Sequence, residues 1–211
     1  MTNQQALTAA LEDVGDGVRS VTGTSGTMTL AQMATTLDSF NPHLYEDAIL
    51  QNNLNGPYTN DRATVIGPYK FWETWWISDV SFPRVVTIKQ YAFHYCNHMT
   101  SANFPLAETV REGAFQYTTL PGIALPKLTK LYETAFRNCT QFALLDLYSP
   151  DRTTIPELVN SNALGNTLIE SGSGYIVIND SLVASLKAAT NWSVYSAQII
   201  SHTDAVNGGI V

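Results

Sequence analysis

Cysteine is scarce, with two in 211 residues. Cys96 and Cys139 hold the same place in a repeated unit, two units apart. Stacked strands lie about 4.8 Å apart, so two steps separate the pair by roughly 10 Å, more than the about 7 Å a disulfide can span. The sequence therefore predicts two free, buried thiols that act as small apolar fillers. Charge is scarce too: 14% of residues, with 11 basic against 18 acidic and a net charge of −7. Residues 1–60 hold one Arg against six acids, 61–152 hold nine basic residues against eight acids, and 153–211 hold one Lys against four acids. No basic stripe forms, which argues against nucleic acid as a partner. No apolar run approaches about 18 residues, so no membrane insertion is expected. The start, MTNQQALTAALEDV, lacks a basic n-region and an apolar core and is not read as a secretory signal. An exterior location would then be reached by cell lysis, as part of a particle, or after a removed signal.

Catalytic signatures are missing as well. There is no Gly-rich phosphate loop, no G-x-S-x-G and no H-E-x-x-H. His94-x-Cys96-x-His98 has metal-like spacing, but Cys96 falls on an inward position, while His94 and His98 align with solvent-facing polar residues and should point away from the sulfur. Glu108, Glu112 and Glu133 fall on exposed turns with no shared pocket for an acid–base pair. The expectation is a non-enzymatic protein with no metal and no cofactor.

What the chain does have is periodicity. Between residues 78 and 147 one unit recurs three times. Its Phe/Leu-Pro pair stands at Phe82-Pro83, Phe104-Pro105 and Leu125-Pro126, and its Ala-Phe pair at Ala92-Phe93, Ala114-Phe115 and Ala135-Phe136. Both landmarks shift by 22 residues and then 21. A repeat of this length predicts a solenoid in which each coil buries its apolar edge on the next. Moving the first unit back by 22 places Ile88 on Ile66, Tyr91 on Tyr69, Phe93 on Phe71, Cys96 on Thr74 and Met99 on Ile77, so residues 66–77 read as a degenerate earlier coil.

The inward ladder follows from the alignment: Val80, Phe82, Val85, Ile88, Phe93 and Cys96 in one coil, with their counterparts in the next two. Between the ladder residues of the strand lie Ser81, Asn103, Ala124 and Asp146, a row of small or polar side chains that leaves room for a partner. Trp72, Trp75 and Trp76 align with His94, Asn97 and His98, so they should face outward. Either they lie under a cap made by residues 40–65, as terminal coils need covering, or they form an aromatic platform suited to sugar rings or partner proteins.

Divisions along the chain follow. Residues 1–40 form an N-terminal helical docking segment, 41–63 a linker or cap, 64–150 the coils, and 151–211 a degenerate last coil with a C-terminal cap. In the first, Leu7, Ala10, Leu11 and Val14 recur at helical spacing, and Thr29 with Gln32 forms a capping box. In the last, Tyr175–Ile178 reads as a strand, Asp180-Ser181 as the cap of a helix with Leu182, Leu186 and Ala189 inward, Trp192, Val194, Tyr195 and Ile199 as a second closing segment, and 201–211 as a loose polar tail.

The pattern Phe-Pro…Ile/Val…Ala-Phe…Cys/Thr, with the ending GYIVINDSLVASLKAATNWSVYSAQI, resembles the BspA-like class of bacterial leucine-rich repeats over residues 64–200. It departs from that class at Thr118, which replaces Cys, and at Asn179, where Pro is common. The resemblance implies an α/β leucine-rich-repeat solenoid of short parallel strands and a role in surface recognition. Separately, Val18, Arg19, Thr22, Gly23, Thr29, Gln32 and Met33 match the short N-terminal segment of tail-associated proteins in phages and prophages of Gram-positive bacteria. That likeness implies a virion protein that docks onto other virion proteins and meets a host cell-surface glycan or protein. A bacterial cell-surface or secreted adhesin is the alternative, and a glycan hydrolase the third. Short helices of this kind can trimerise in fibres, so a homo-oligomer stays open, although no heptad seam is present.

Overall fold

The computed structural model describes residues 56–211. The expected N-terminal helices, and the linker up to residue 55, lie outside the described residues. The strands are β1 (Gly56–Thr59), β2 (Val65–Ile66), β3 (Ile77–Ser81), β4 (Thr87–Ile88), β5 (Ser101–Asn103), β6 (Thr109–Val110), β7 (Gly122–Ala124), β8 (Lys130–Leu131), β9 (Leu144–Asp146), β10 (Glu157–Leu158), β11 (Tyr175–Ile178) and β12 (Ile199–Ser201). Two short helices, α1 (Val183–Ala188) and α2 (His202–Asn207), fall near the C-terminus. Each coil gives one strand to a main face and a two-residue strand to a second face. The second face is a five-stranded parallel sheet ordered β10-β8-β6-β4-β2. The main face is two parallel sheets, β1-β3-β5 and β12-β11-β9-β7. This is the solenoid expected from the spacing, with the short parallel strands that the leucine-rich-repeat resemblance implies.

The Phe-Pro landmark makes the corner between the faces. Val85, Ala107 and Leu128 donate their N–H to the carbonyls of Phe82, Phe104 and Leu125 at 3.1–3.2 Å, closing four-residue turns with Pro in the second place, where its fixed φ is already correct. The earlier coil has Asp61 in place of that Pro, and the Asn60 side chain accepts from Arg62 N–H and Ala63 N–H instead. In the last coil Arg152 closes the turn on Ser149 across Pro150. The main face is interrupted between β5 and β7, where the repeat is one residue short and Pro121 contributes no N–H.

The Ala-Phe landmark makes the third side. Phe71, Phe93, Phe115 and Phe136 donate their N–H to the carbonyls of Ala92, Ala114, Ala135 and Ala163 in the following coil at 2.7–2.8 Å. The flanking donors have left-handed backbone: Tyr69, Tyr91 and Gly113 on one side (φ 57, 54 and 58°), and Glu73, Tyr95, Tyr117 and Asn138 on the other (φ 55–62°). Such backbone costs an L-residue about 1–2 kcal/mol. Here each of these N–H groups donates to the next coil at 2.8–3.2 Å. Gly113 is required for a second reason: a Cβ there would stand 2.4 Å from the Tyr91 ring.

Inside, the rings stack coil on coil. Phe71–Phe93, Phe93–Phe115 and Phe115–Phe136 lie 4.8, 5.3 and 5.2 Å apart and within 6° of parallel, and Phe142 extends the column. Phe82 and Phe104 form a shorter column at 5.5 Å. Ile66, Phe71, Thr74 and Ile77 are buried, so residues 66–77 are a true coil. Residues 56–59, read from the sequence as linker or cap, add one more strand, and Tyr58 packs its ring on Phe71 and Phe82.

The two cysteines are free and fully buried. They are more than apolar fillers. Cys96 Sγ donates to the Phe71 carbonyl at 3.0 Å and Cys139 Sγ to the Phe115 carbonyl at 2.9 Å, each in the preceding coil. Burial pushes the Cys96 thiol up to about 12 and the Cys139 thiol to about 11, against 9.0 when free. Because the thiolate is the reactive species, neither should react with an aromatic disulfide reagent at pH 8 until the fold is lost, when both should react. Fast labelling of the native chain would contradict this. The same burial makes stability depend on alkaline pH. Below pH 9 the thiols cost no stability, and as pH climbs toward 11–12 the unfolded chain sheds their protons first and is favoured.

Three C-terminal expectations need correction. Asp180 does not cap α1. Its carboxylate accepts the Thr203 hydroxyl at 2.6 Å and the Thr203 N–H at 3.1 Å. Residues 201–211 are not a loose tail. Ser201 Oγ caps α2 by accepting the Asp204 N–H at 3.0 Å and donates to the Asp204 carboxylate at 2.7 Å, and Ala205 is fully buried. Val194, expected to close the core, is exposed.

Candidate functional site

The row between the ladder residues is only partly open. Ser81 and Asn103 are register partners on β3 and β5, and Asn103 Nδ2 donates to Ser81 Oγ at 3.0 Å. Ala124 and Asp146 pair likewise on β7 and β9. At Asp146 the row closes. Its carboxylate accepts the Tyr148 N–H at 2.9 Å, and the Tyr148 ring stacks on His202 at the start of α2. Asp146 is half-buried, and that burial pushes its carboxyl above the usual range. Asp146 thus belongs to the junction with the C-terminal cap, and Asn103 and Ala124, exposed, with Ser81, half-buried, remain as the rest of the row.

The tryptophans stand on the turn side, away from that row. Trp72 is 39% exposed and Trp75 53%, while Trp76 is half-buried. Residues 40–55, the larger part of the cap considered above, lie outside the described residues. Trp72 stacks on His94 at 4.4 Å and leans on Tyr69 and Tyr91. Trp75 meets Trp76 edge-on at 5.5 Å and His98 at 5.9 Å.

His94 is the surprise of this surface. It turns away from the ladder, as expected, but is 7% exposed and sits beneath Trp72, Tyr91, Tyr95 and Tyr117. Burial lowers its pKa, with the nearby Glu73 charge opposing, so at neutral pH it is an uncharged ring in an aromatic packet. Around it, Tyr69 stacks on Tyr91 at 5.4 Å and Tyr95 on Tyr117 at 4.4 Å. The Tyr91 hydroxyl donates to Glu112 at 2.7 Å, which raises the Tyr91 pKa to about 12. Sequence reasoning missed this shelf because it weighed the tryptophans alone. The signal was available in the columns, where Tyr69 aligns with Tyr91 and Tyr95 with Tyr117.

An open depression of about 240 Å³ lies beside the shelf, lined by Glu73, Trp75, Tyr95 and Asn97. Glu73 and Tyr95 are the left-handed residues of neighbouring coils, and Trp75 and Asn97 each follow two residues later. The site is therefore a two-by-two array built by the repeat itself. Among the described residues no cluster of His, Cys, Asp or Glu is arranged to hold a metal ion.

A family model described as BspA type leucine rich repeat region matches residues 32–173 in six copies. The match reaches beyond residues 64–150 on both sides. No curated protein and no solved structure matches the chain.

Proposed function

This chain belongs to the BspA type leucine-rich-repeat family, and from that premise we propose that it works by recognition without chemistry, presenting its coils to a cell-surface glycan or protein. The observation that carries the reading is the aromatic shelf. Two tryptophans and the Tyr95–Tyr117 stack stay in solvent on a rigid frame of backbone hydrogen bonds. Large apolar rings held out in water lose that cost only when a partner covers them. The strand-side row of Ser81, Asn103 and Ala124 is a second contact, made of small or polar side chains.

The location we propose is a phage or prophage particle, with residues 1–40 docked on other virion proteins. The support is the resemblance at Val18, Arg19, Thr22, Gly23, Thr29, Gln32 and Met33. An adhesin on the bacterial surface uses the same recognition coils. Immunogold labelling of purified particles separates the two: label on particles is expected, whereas label confined to cell envelopes assigns the protein to the bacterium.

Binding itself has a separate check. Trp75→Ala with Trp76→Ala should lower adsorption of the labelled full chain to target cells about tenfold or more, with an unchanged melting profile. Full adsorption by the double variant would move the recognition surface away from the shelf.

A further inference from the structure

We infer that the depression walled by Glu73, Trp75, Tyr95 and Asn97 is a subsite for one neutral pyranose unit of a polysaccharide. The inference rests on the recognition reading above and narrows it to one site and one ligand class. Four features carry it.

The first is size. About 240 Å³ falls below the roughly 300–1,000 Å³ usual for drug-sized ligands, and suits a single sugar ring within a longer chain that runs on past an open rim.

The second is chemistry. A pyranose has an apolar face of C–H groups and a polar equator of hydroxyls. The array offers both partners. Trp75 is 53% exposed and Tyr95 41%, and each can take a C–H face. Glu73 and Asn97 are exposed, and they supply a carboxylate that accepts from hydroxyls and an amide that both donates and accepts. The aromatic and polar groups alternate, since Glu73–Trp75 lies on one coil and Tyr95–Asn97 on the next.

The third is rigidity. The Glu73 N–H is tied to the His94 carbonyl at 2.8 Å and the Tyr95 N–H to the Gln116 carbonyl at 3.0 Å. Tyr95 is further held by its stack on Tyr117, and Trp75 by its edge contacts with Trp76 and His98. The backbone and the two rings have little freedom left to lose on binding, which favours affinity from few contacts.

The fourth is charge. Glu73 in the wall disfavours anionic polymers, and the coils around it, with nine basic residues against eight acids over 61–152, hold no surplus of cations to offset it, which leaves neutral sugars as the matching class. The equivalent places in later coils, Tyr117 with Thr119 and Asn138 with Thr140, lack a tryptophan and a carboxylate, so among the described residues the site occurs once.

The test uses the full chain and a panel of neutral tetrasaccharides built from glucose, mannose or N-acetylglucosamine, followed by calorimetry and saturation-transfer NMR. At least one should bind saturably with a Kd on the order of 1 mM. Trp75→Ala should weaken that binding about tenfold, and Asn97→Ala and Glu73→Gln each about threefold to tenfold. Thr140→Ala, two coils away, should leave it unchanged. All four side chains are exposed at the surface, so melting should barely move. If Trp75→Ala does unfold, Asn97→Ala decides alone. Absence of saturable binding by every tetrasaccharide at about 10 mM, or binding indifferent to Trp75→Ala and Asn97→Ala, overturns the subsite. Adsorption to cells separates the two levels: cells that still bind the chain while the sugar arm fails leave recognition standing and remove only this site, whereas failure of both removes both.

Discussion

Phe115→Ala should destabilise the chain by about 3–5 kcal/mol. The ring is fully buried and stacked between Phe93 and Phe136 at 5.3 and 5.2 Å, with the edge of Phe104 at 5.8 Å. Truncation removes three ring contacts and leaves a cavity that its neighbours cannot fill. Their N–H groups are pinned, Phe93 to Ala114 and Phe136 to Ala163, so the column cannot close up by sliding one coil toward another. In a solenoid, stability resides largely in nearest-neighbour interfaces, and this residue supports two of them at once. Urea unfolding should show an earlier midpoint, together with a shallower transition if the halves on either side part company. The control is Phe71→Ala, where the ring has one stacked partner, Phe93, and the edges of Tyr58 and Phe82. It should cost less and leave the transition steep. A Phe115→Ala loss below about 1 kcal/mol would mean that the stacked column fills space without coupling the coils.

The column also explains how much could be read from the residues. Phe82, Phe93, Val85 and Cys96 were placed inward by register alone, because a coil that repeats every 21 or 22 residues returns each side chain to the same side, and Ile66, Phe71 and Thr74 followed by shifting the frame. His94 was legible only in part. The frame put it outside the core, correctly, but outside the core is not the same as in water. Its cover comes from Trp72, Tyr91, Tyr95 and Tyr117, two of them on neighbouring coils, and no window along the sequence brings those together. The left-handed residues were hidden for another reason. Tyr91 and Tyr95 occupy a backbone region usually marked by Gly or Asn, and of their counterparts only Gly113, Asn138 and Asn166 give that signal. At the C-terminus, Ser201 followed by Asp204 was a capping pair in plain view. The polar composition of 201–211 outweighed it, although Asp180 on a different segment supplies the anchor through Thr203.

The closing segment sets the second large effect, since a solenoid ends on an unpaired strand. β10 is the last strand of the second face, and its outer edge would offer free carbonyls to another chain. Asn191 occupies that edge. Its side-chain amide donates to the Leu158 carbonyl at 2.8 Å and to the Val159 carbonyl at 2.9 Å, standing in for the missing strand. Trp192 fixes it there, fully buried with Nε1–H on the Pro156 carbonyl at 2.8 Å, and the Tyr195 hydroxyl donates to the Ser161 carbonyl. Trp192→Ala should therefore cost about 3–5 kcal/mol and also uncover the edge, so that light scattering reports association as concentration rises. Trp192→Phe keeps the apolar bulk but leaves the Pro156 carbonyl unpaired, for about 1–3 kcal/mol and no association. Asn191→Gly isolates the edge. Glycine accepts the φ of 65° at this place, so the backbone should hold while the two donors are lost. Association by Asn191→Gly at near-native stability is the expected outcome. A variant that associates no more than the native chain would show that the end of the solenoid is protected by Trp192 and Tyr195 packing alone, with the amide contributing only local order.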